Sequence, residues 1–235
     1  MSVSVIVPTY NRFKYLLNTI QSIKEQTLQP IEIIVVNDCS TQKEYYEYDW
    51  SKNGIIIIHL PKNSREVFGI SSPQRTRGIE IATGEYIAFC DDDDIWFPNK
   101  LELQLKAMQQ YHCDMSCTDG LIGNGPYNKS KHYAKYNAEH YYQTLQQIYA
   151  RKGSRVLTNG FPKIWSLDFL KIHNCVICSS VVIKKTIINK VGSFINKTPG
   201  EDYEYWLRIL KYTDSVYVPE ICFYYDNEHG DGRLY

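Results

Sequence analysis

The sequence predicts an α/β domain with a mostly parallel central sheet flanked by helices. Three observations predict it. Short apolar strands alternate with helix-length segments through the first half, and polar or acidic residues cluster directly after those strands. Hydrophobic residues make up 43% of 235 residues, enough to cover both faces of such a sheet.

The elements follow in order. Residues 3–7 (Val3-Ser4-Val5-Ile6-Val7) form a β-rich run, and residues 12–26 place Leu16, Leu17, Ile20 and Ile23 on one helical face. Residues 32–37 and 55–59 are a second and third apolar strand, the latter introduced by Asn53-Gly54. Ser72-Pro73 opens a helix with a capping residue and a proline in its first turn, and Gly84 is placed to stop it. Residues 85–89 form a fourth strand that runs into Cys90 and four consecutive aspartates. Sheets of this kind bind ligands at the carboxyl ends of their strands, near a change in strand order. Pro8-Thr9-Tyr10, Asp38, Asp91 and Asp93 all fall there.

Past residue 95 the pattern is less regular. Residues 99–110 form a helix with Leu101, Leu105 and Met108 on one side. Residues 120–170 are rich in Tyr, Asn and Lys and are broken by Gly123, Gly125, Gly153 and Gly160, which reads as short helices and loops. Residues 176–183 read as a buried strand. Residues 201–211 form a helix offering Tyr205, Trp206, Ile209 and Leu210 to the core. No repeat or low-complexity linker marks a domain boundary, so one domain over 1–235 is expected.

Bulk composition excludes some classes. Lys plus Arg and Asp plus Glu both number 26, so there is no excess positive charge for nucleic acid as the main partner. No apolar run approaches the roughly 20 residues that cross a bilayer, so no transmembrane segment is expected. The first residues lack a basic stretch followed by a long apolar one, so no signal peptide is expected either. A cytoplasmic location follows, with docking to a membrane face left open. The seven cysteines are odd in number and several have apolar neighbours, which suits reduced, buried thiols. Cys175 and Cys178 have the CxxC spacing of a zinc site. Read as part of a strand they point apart, and no second pair is well placed, so no zinc is expected.

The most informative segment is Phe89-Cys90-Asp91-Asp92-Asp93-Asp94. Adjacent carboxylates after a buried strand repel one another, and partial burial raises that cost. A divalent cation relieves both penalties. If strand geometry persists for two residues, Asp91 and Asp93 project to the same side, one toward a ribose or water and the other toward Mg²⁺ or Mn²⁺. The plainer reading is a solvated loop in which Asp94 caps the next helix. The cluster alone does not separate a glycosyltransferase from a kinase, phosphatase or nucleotidyltransferase. The first loop is more selective. It has neither Gly-x-Gly-x-x-Gly nor a Gly-x-x-x-x-Gly-Lys-Ser/Thr cradle, which argues against nicotinamide, flavin and P-loop chemistry.

Five segments in order resemble the family 2 glycosyltransferases, which have the GT-A fold. They are Val5-Ile6-Val7-Pro8-Thr9-Tyr10-Asn11-Arg12, Ile34-Val35-Val36-Asn37-Asp38-Cys39-Ser40, Pro73-Gln74-Arg75-Thr76-Arg77-Gly78-Ile79, the run from Thr83 to Asp94, and Val191-Gly192-Ser193-Phe194 followed by the run from Gly200 to Arg208. Two positions depart from the family pattern: Cys39 stands where glycine is usual, and Thr76 where asparagine is usual. The resemblance implies a nucleotide-sugar-binding half over 1–95 and an acceptor-binding and catalytic half over 96–235. It implies an inverting, metal-dependent transfer of a sugar from a nucleotide-diphosphate donor, often a UDP-sugar, to an acceptor hydroxyl. A nucleotidyltransferase or a non-catalytic nucleotide-sugar-binding module stands as the alternative.

The same resemblance assigns roles. Asp38 recognises the base, and an ionised carboxylate can accept an imide N–H; its plainer role is an Asx turn or a helix cap. Pro8, Thr9 and Arg12 in the first loop, with Arg75, Asp91 and Asp92, are the other donor-side residues. Asp93 is the preferred ligand for Mn²⁺ or Mg²⁺, and His229, after an aromatic run, is a second ligand candidate or an exposed tail residue. Asp202 is the general base. A helix amino terminus weakens it as a base, while Glu201 and the acidic turn act in the opposite sense. The stretch from Thr118 to Trp165, with Tyr127, Tyr133, Tyr136, Tyr141, Tyr142 and Trp165, faces a saccharide, lipid-linked or protein-linked acceptor or serves as packing.

Overall fold

The computed structural model describes residues 1–68, 72–195 and 200–229. In chain order the elements begin β1 (Val3–Thr9), α1 (Phe13–Lys24), β2 (Glu32–Asn37), α2 (Glu44–Glu47), β3 (Ile55–His59), α3 (Ser64–Phe68), α4 (Ser72–Ile81) and β4 (Tyr86–Phe89). They continue with β5 (Ile95–Trp96), α5 (Lys100–Tyr111), β6 (Met115–Gly123), β7 (Ala134–Lys135), a π-helical turn (Tyr136–His140) and α6 (Tyr142–Arg151). The last are β8 (Ile164–Trp165), α7 (Leu167–Leu170), a 3₁₀ turn (Cys178–Ser180), β9 (Val182–Lys184), α8 (Lys185–Val191), α9 (Glu201–Ile209) and β10 (Ser215–Asp226).

These strands form one sheet in the order β3-β2-β1-β4-β9-β6-β10-β5, with β7 on β6 and β8 on β10. Strands β3, β2, β1 and β4 are mutually parallel, as the βαβ pattern predicts, and β6 is parallel to β10. Strand β9 runs antiparallel to both β4 and β6 and joins the two parallel groups. Because β9 reverses between them, β4 and β6 point the same way. The carboxyl ends of β1, β2, β4, β6 and β10 therefore share one edge of the sheet, where the carboxylates gather.

Both faces are covered, so the central strands are apolar throughout rather than alternating. Val3, Val5 and Val7 pack with Leu16, Ile20 and Ile23 of α1 and Leu101, Leu105 and Met108 of α5. Ile6, Ile34, Val36 and Phe89 face the opposite layer, with Trp206 and Ile209 of α9. Helix α4 lies hard on β1: a Cβ on Gly78 would stand 2.5 Å from the Ile6 side chain. That approach brings Arg75, one turn earlier on the same face, to the strand ends.

Two segments differ from the sequence reading. Residues 176–183 are not one strand, because a 3₁₀ turn precedes the three-residue β9. Ser179 and Ser180 spend their hydroxyls there on the neighbouring acidic turn and on the turn's own backbone, which alternation alone does not reveal. Within 120–170 the structure has short helices, as expected, but the segment opens on the nine-residue strand β6, which the glycines masked.

The departure at Cys39 has a backbone meaning. Its φ is 62°, in the left-handed region that favours glycine. Releasing that strain gains about 1–2 kcal/mol, and the added freedom of the unfolded chain returns about half of it. We expect Cys39→Gly to raise Tm by about 1–3 °C and Cys39→Val to lower it, in paired thermal melts.

Candidate active site at the strand ends

Strand β1 delivers the first loop. Pro8 lies two residues beyond Ile6, the last residue of β1 paired with β4, so its missing N–H costs no ladder bond on that side. Thr9 is buried, and its hydroxyl lies 2.6 Å from the Tyr45 hydroxyl. The same phenol accepts the Arg12 backbone N–H at 3.0 Å. Asn11, at φ 51°, turns the chain, and its side-chain oxygen accepts the Thr41 N–H at 2.8 Å. The loop is thus built to aim Arg12, whose Nη1 is 3.1 Å from Asp92 Oδ1 and 3.0 Å from Asp93 Oδ2.

After Cys90 the chain does not continue as a strand. The Asp94 N–H closes a turn on the Asp91 carbonyl at 3.2 Å, so alternation does not place these carboxylates. The turn is held by its backbone: the Thr19 hydroxyl lies 3.0 Å from the Asp92 carbonyl oxygen and 2.8 Å from that of Asp94. Each side chain then has its own surroundings. Asp91 pairs with Arg75 at 2.5 Å, while Asp92 and Asp93 share Arg12. Asp94 caps no helix. It is fully buried, accepting the Ser179 hydroxyl at 2.5 Å and the Asp226 backbone N–H at 3.1 Å. Burial pushes the Asp92, Asp93 and Asp94 carboxyls above the usual range, and the neighbouring charge of Asp92 adds to the rise at Asp93.

Arg75 is buried, not a surface cation, and its two ends link separate parts of the site: Nη2 to Asp91, and Nη1 to Glu201 Oε1 at 3.5 Å. Glu201 and Asp202 open α9 after Gly200, whose φ of 99° sets the entry of the helix. Asp202 is half-buried, and its Oδ1 accepts the Tyr203 N–H at 2.7 Å. Burial raises its carboxyl above the ordinary value, against that N–H and the Arg75 guanidinium, and the charges of Asp91 and Glu201 raise it further. The opposing effects at this helix start resolve toward the stronger base.

Asp38, at the end of β2, is buried. Its Oδ1 accepts both the backbone N–H and the hydroxyl of Ser64, at 2.9 and 2.7 Å, tying β2 to the start of α3. Burial nonetheless holds the carboxyl above its ordinary value.

His229 does not trail away from the site. Its Nδ1 is 3.9 Å from Asp93 Oδ2, and its ring meets Tyr225 edge-on at 5.7 Å. Asp226 positions it, accepting the His229 N–H on its carbonyl at 3.0 Å and the Gly125 and Glu228 N–H groups on its carboxylate. An octahedral cation with bonds of about 2.1 Å sets adjacent ligand atoms about 3.0 Å apart, so the two side chains, 3.9 Å apart, would close by about 1 Å to share one. Among the described residues no three of His, Cys, Asp or Glu form a metal-holding group. Asp93 and His229 would supply two ligands to such an ion, with phosphate oxygens and water supplying the others.

The sequence reading missed four residues that shape this edge. Tyr45, Ser179 and Asp226 bond directly to the first loop or the acidic turn. Asp119, midway along β6, is buried and accepts the N–H groups of Asn137 and Ala138, at 2.9 and 3.0 Å. It thereby fixes the π-helical turn carrying Tyr136, whose ring lies 5.7 Å from Tyr225 and 4.9 Å from Tyr141. Helical turns of this type recur at functional sites. Trp165, in contrast, is a packing residue, fully buried and stacked on Tyr217 at 4.5 Å. Asp119 precedes a glycine within an apolar run, a weak signal; the others carry none.

A model described as Glycosyl transferase family 2 matches residues 4–185. The chain belongs to that family. Among family 2 relatives, a glycosyltransferase of Rickettsia bellii is 33% identical over 208 residues, covering 88% of this chain and 26% of that protein. The putative teichuronic acid biosynthesis glycosyltransferase TuaG of Bacillus subtilis is 36% identical over 119 residues, covering 49% of this chain and 45% of that protein. WfgD of Escherichia coli, described as a UDP-Glc:alpha-D-GlcNAc-diphosphoundecaprenol beta-1,3-glucosyltransferase, is 29% identical over 213 residues, covering 89% and 70%. The chain thus spans less than half the length of the first two. In fold it is similar to residues 1–349 of TarS from S. aureus, with a TM-score of 0.65, 21% identity, and coverage of 97% of this chain and 61% of that one. The complex of the same protein with UDP-GlcNAc gives a TM-score of 0.64 at 20% identity, covering 100% and 62%. These likenesses support the GT-A-like architecture. No helix among the described residues is long and apolar enough to cross a membrane.

Proposed function

We propose that this chain carries the donor-binding and catalytic core of an inverting, cation-dependent glycosyltransferase that uses a UDP-sugar. The observation that carries the reading is the buried Arg75, which bridges Asp91 of the acidic turn to Glu201 beside Asp202, with Asp93 of the same turn facing His229 at 3.9 Å, at the shared carboxyl edge of β1, β4 and β10. Family membership supports the transfer, and the names of WfgD and of the TarS complex support uridine as the base.

In this reading Asp38 serves the base, Asp91 the ribose, and Pro8, Thr9, Arg12, Arg75 and Asp92 line the donor site. Asp93 and His229 hold Mn²⁺ or Mg²⁺, which when bound neutralises diphosphate charge that grows as the sugar bond breaks. Asp202 takes the proton of an acceptor hydroxyl as that oxygen attacks the anomeric carbon. The bond from that carbon to the diphosphate oxygen breaks on the opposite face, and the configuration inverts. The raised proton affinity of Asp202 suits this step.

A donor screen tests the proposal, with release of nucleoside diphosphate measured in Mn²⁺, in Mg²⁺ and in chelator. We expect UDP release from a UDP-sugar in either cation and its loss in chelator. Pyrophosphate release would instead identify a nucleotidyltransferase. Cation-dependent UDP binding with no donor consumed would identify a binding module.

A further inference from the structure

The oxygen best placed to bind a cation already faces a cation of the protein. Asp93 Oδ2 lies 3.0 Å from Arg12 Nη1 and 3.9 Å from His229 Nδ1. Arg12 is held there: its backbone N–H is fixed on Tyr45, its side chain is only 10% exposed, and the same Nη1 also reaches Asp92 at 3.1 Å. A divalent ion arriving alone must displace the guanidinium from Asp93, stand beside its positive charge, and find most of its shell in water. An ion arriving with a diphosphate meets none of these three difficulties. Phosphate oxygens fill its shell, their negative charge offsets the guanidinium, and Asp92 keeps Arg12 paired when Asp93 turns to the metal.

We propose that Arg12 is an affinity-determining charge gate, making the cation bind weakly by itself and tightly only together with the nucleotide diphosphate. The gate rests on the assignment of the cation to Asp93 and His229 in the proposed function. Binding coupling is reciprocal: whatever factor UDP adds to Mn²⁺ affinity, Mn²⁺ adds to UDP affinity. A gate of this kind also limits capture of free divalent ions by four adjacent aspartates.

The test measures Mn²⁺ binding by electron paramagnetic resonance with and without UDP, and UDP binding by calorimetry with and without Mn²⁺. In the parent we expect UDP to tighten Mn²⁺ by at least about tenfold. In Arg12→Gln, Mn²⁺ alone should bind about tenfold tighter than in the parent, and the UDP effect should shrink to about threefold or less. Arg12→Met carries the same expectation, so one folded variant suffices. Arg12→Lys keeps the charge and should stay within about threefold of the parent. Unchanged or weaker binding of free Mn²⁺ in the neutral variants, with coupling intact, overturns the gate and leaves the cation site standing. A parent that binds no Mn²⁺ even with UDP overturns both.

Discussion

Asp202→Asn is expected to bind UDP within about twofold of the parent and to turn over at least about 100-fold more slowly. The amide keeps the shape of the side chain and an oxygen for the Tyr203 N–H, but it cannot take a proton. Burial, Asp91 and Glu201 raise the Asp202 carboxyl, so the acidic limb of kcat/KM should lie above the range of an ordinary aspartate. A base must be ionised, so the rate falls as pH drops through that raised value. Stability has the opposite sign. The folded carboxyl keeps its proton to higher pH than the unfolded one, so its stabilising contribution is present below the unfolded value. That contribution is lost as pH rises through the folded value. Above the folded value ionised Asp202 is a burden on the fold, and there the asparagine variant should melt no lower than the parent. Steady-state rates, a pH profile and thermal melts of the two proteins check all three. Parent-like turnover would remove Asp202 from the mechanism, and a joint fall of UDP affinity and Tm would make it a structural residue.

What the sequence discloses about this site follows the range of the interactions that build it. Strands β1 to β4 and helices α1, α4 and α5 are legible because period and capping are local signals, and their bounds lie within a residue or two of expectation. The strand-end placement of Asp38, Asp91 and Asp93 follows from the same signals. Arg12, Arg75 and His229 are nameable only through the family resemblance, since each owes its place to a carboxylate far along the chain. Residues 12 and 92, or 93 and 229, meet only because β1, β4 and β10 end on one edge. The second half is less legible for a related reason. Strand β9 is three residues long and gains its identity from pairing on both sides, and β10 shifts register around Pro219 and Glu220. The short turn 91–94 is not legible, and both strand continuation and a solvated loop stay open, because four identical residues carry no periodicity. Thr19 and Ser179, from distant segments, hold that turn.

Asp93→Asn is expected to separate stability from activity most sharply. Without cation, four consecutive carboxylates crowd one turn, with Arg12 shared between two of them and Arg75 engaged by Asp91. Burial and the charge of Asp92 hold the Asp93 carboxyl well above its ordinary value, so its ionised form is the one the fold tolerates least. Neutralising Asp93 leaves Arg12 its partner in Asp92 and removes a repulsion on each side. A gain of about 1 kcal/mol is reasonable for one relieved buried charge, and it appears as a Tm about 2–4 °C higher in chelator. In Mn²⁺ with UDP the order reverses. The parent should gain stability in proportion to its affinity for the pair, while the variant, left with His229 as the remaining named ligand, should gain little. Its rate of nucleotide release should fall by about 100-fold or more, because the diphosphate loses the charge that draws off its developing negative charge. Melts in chelator and in Mn²⁺ with UDP, beside a release assay, decide the matter. A variant that melts below the parent in chelator would mean that Arg12 needs both carboxylates to stay folded in place. One that still responds fully to Mn²⁺ and UDP would move the cation away from Asp93.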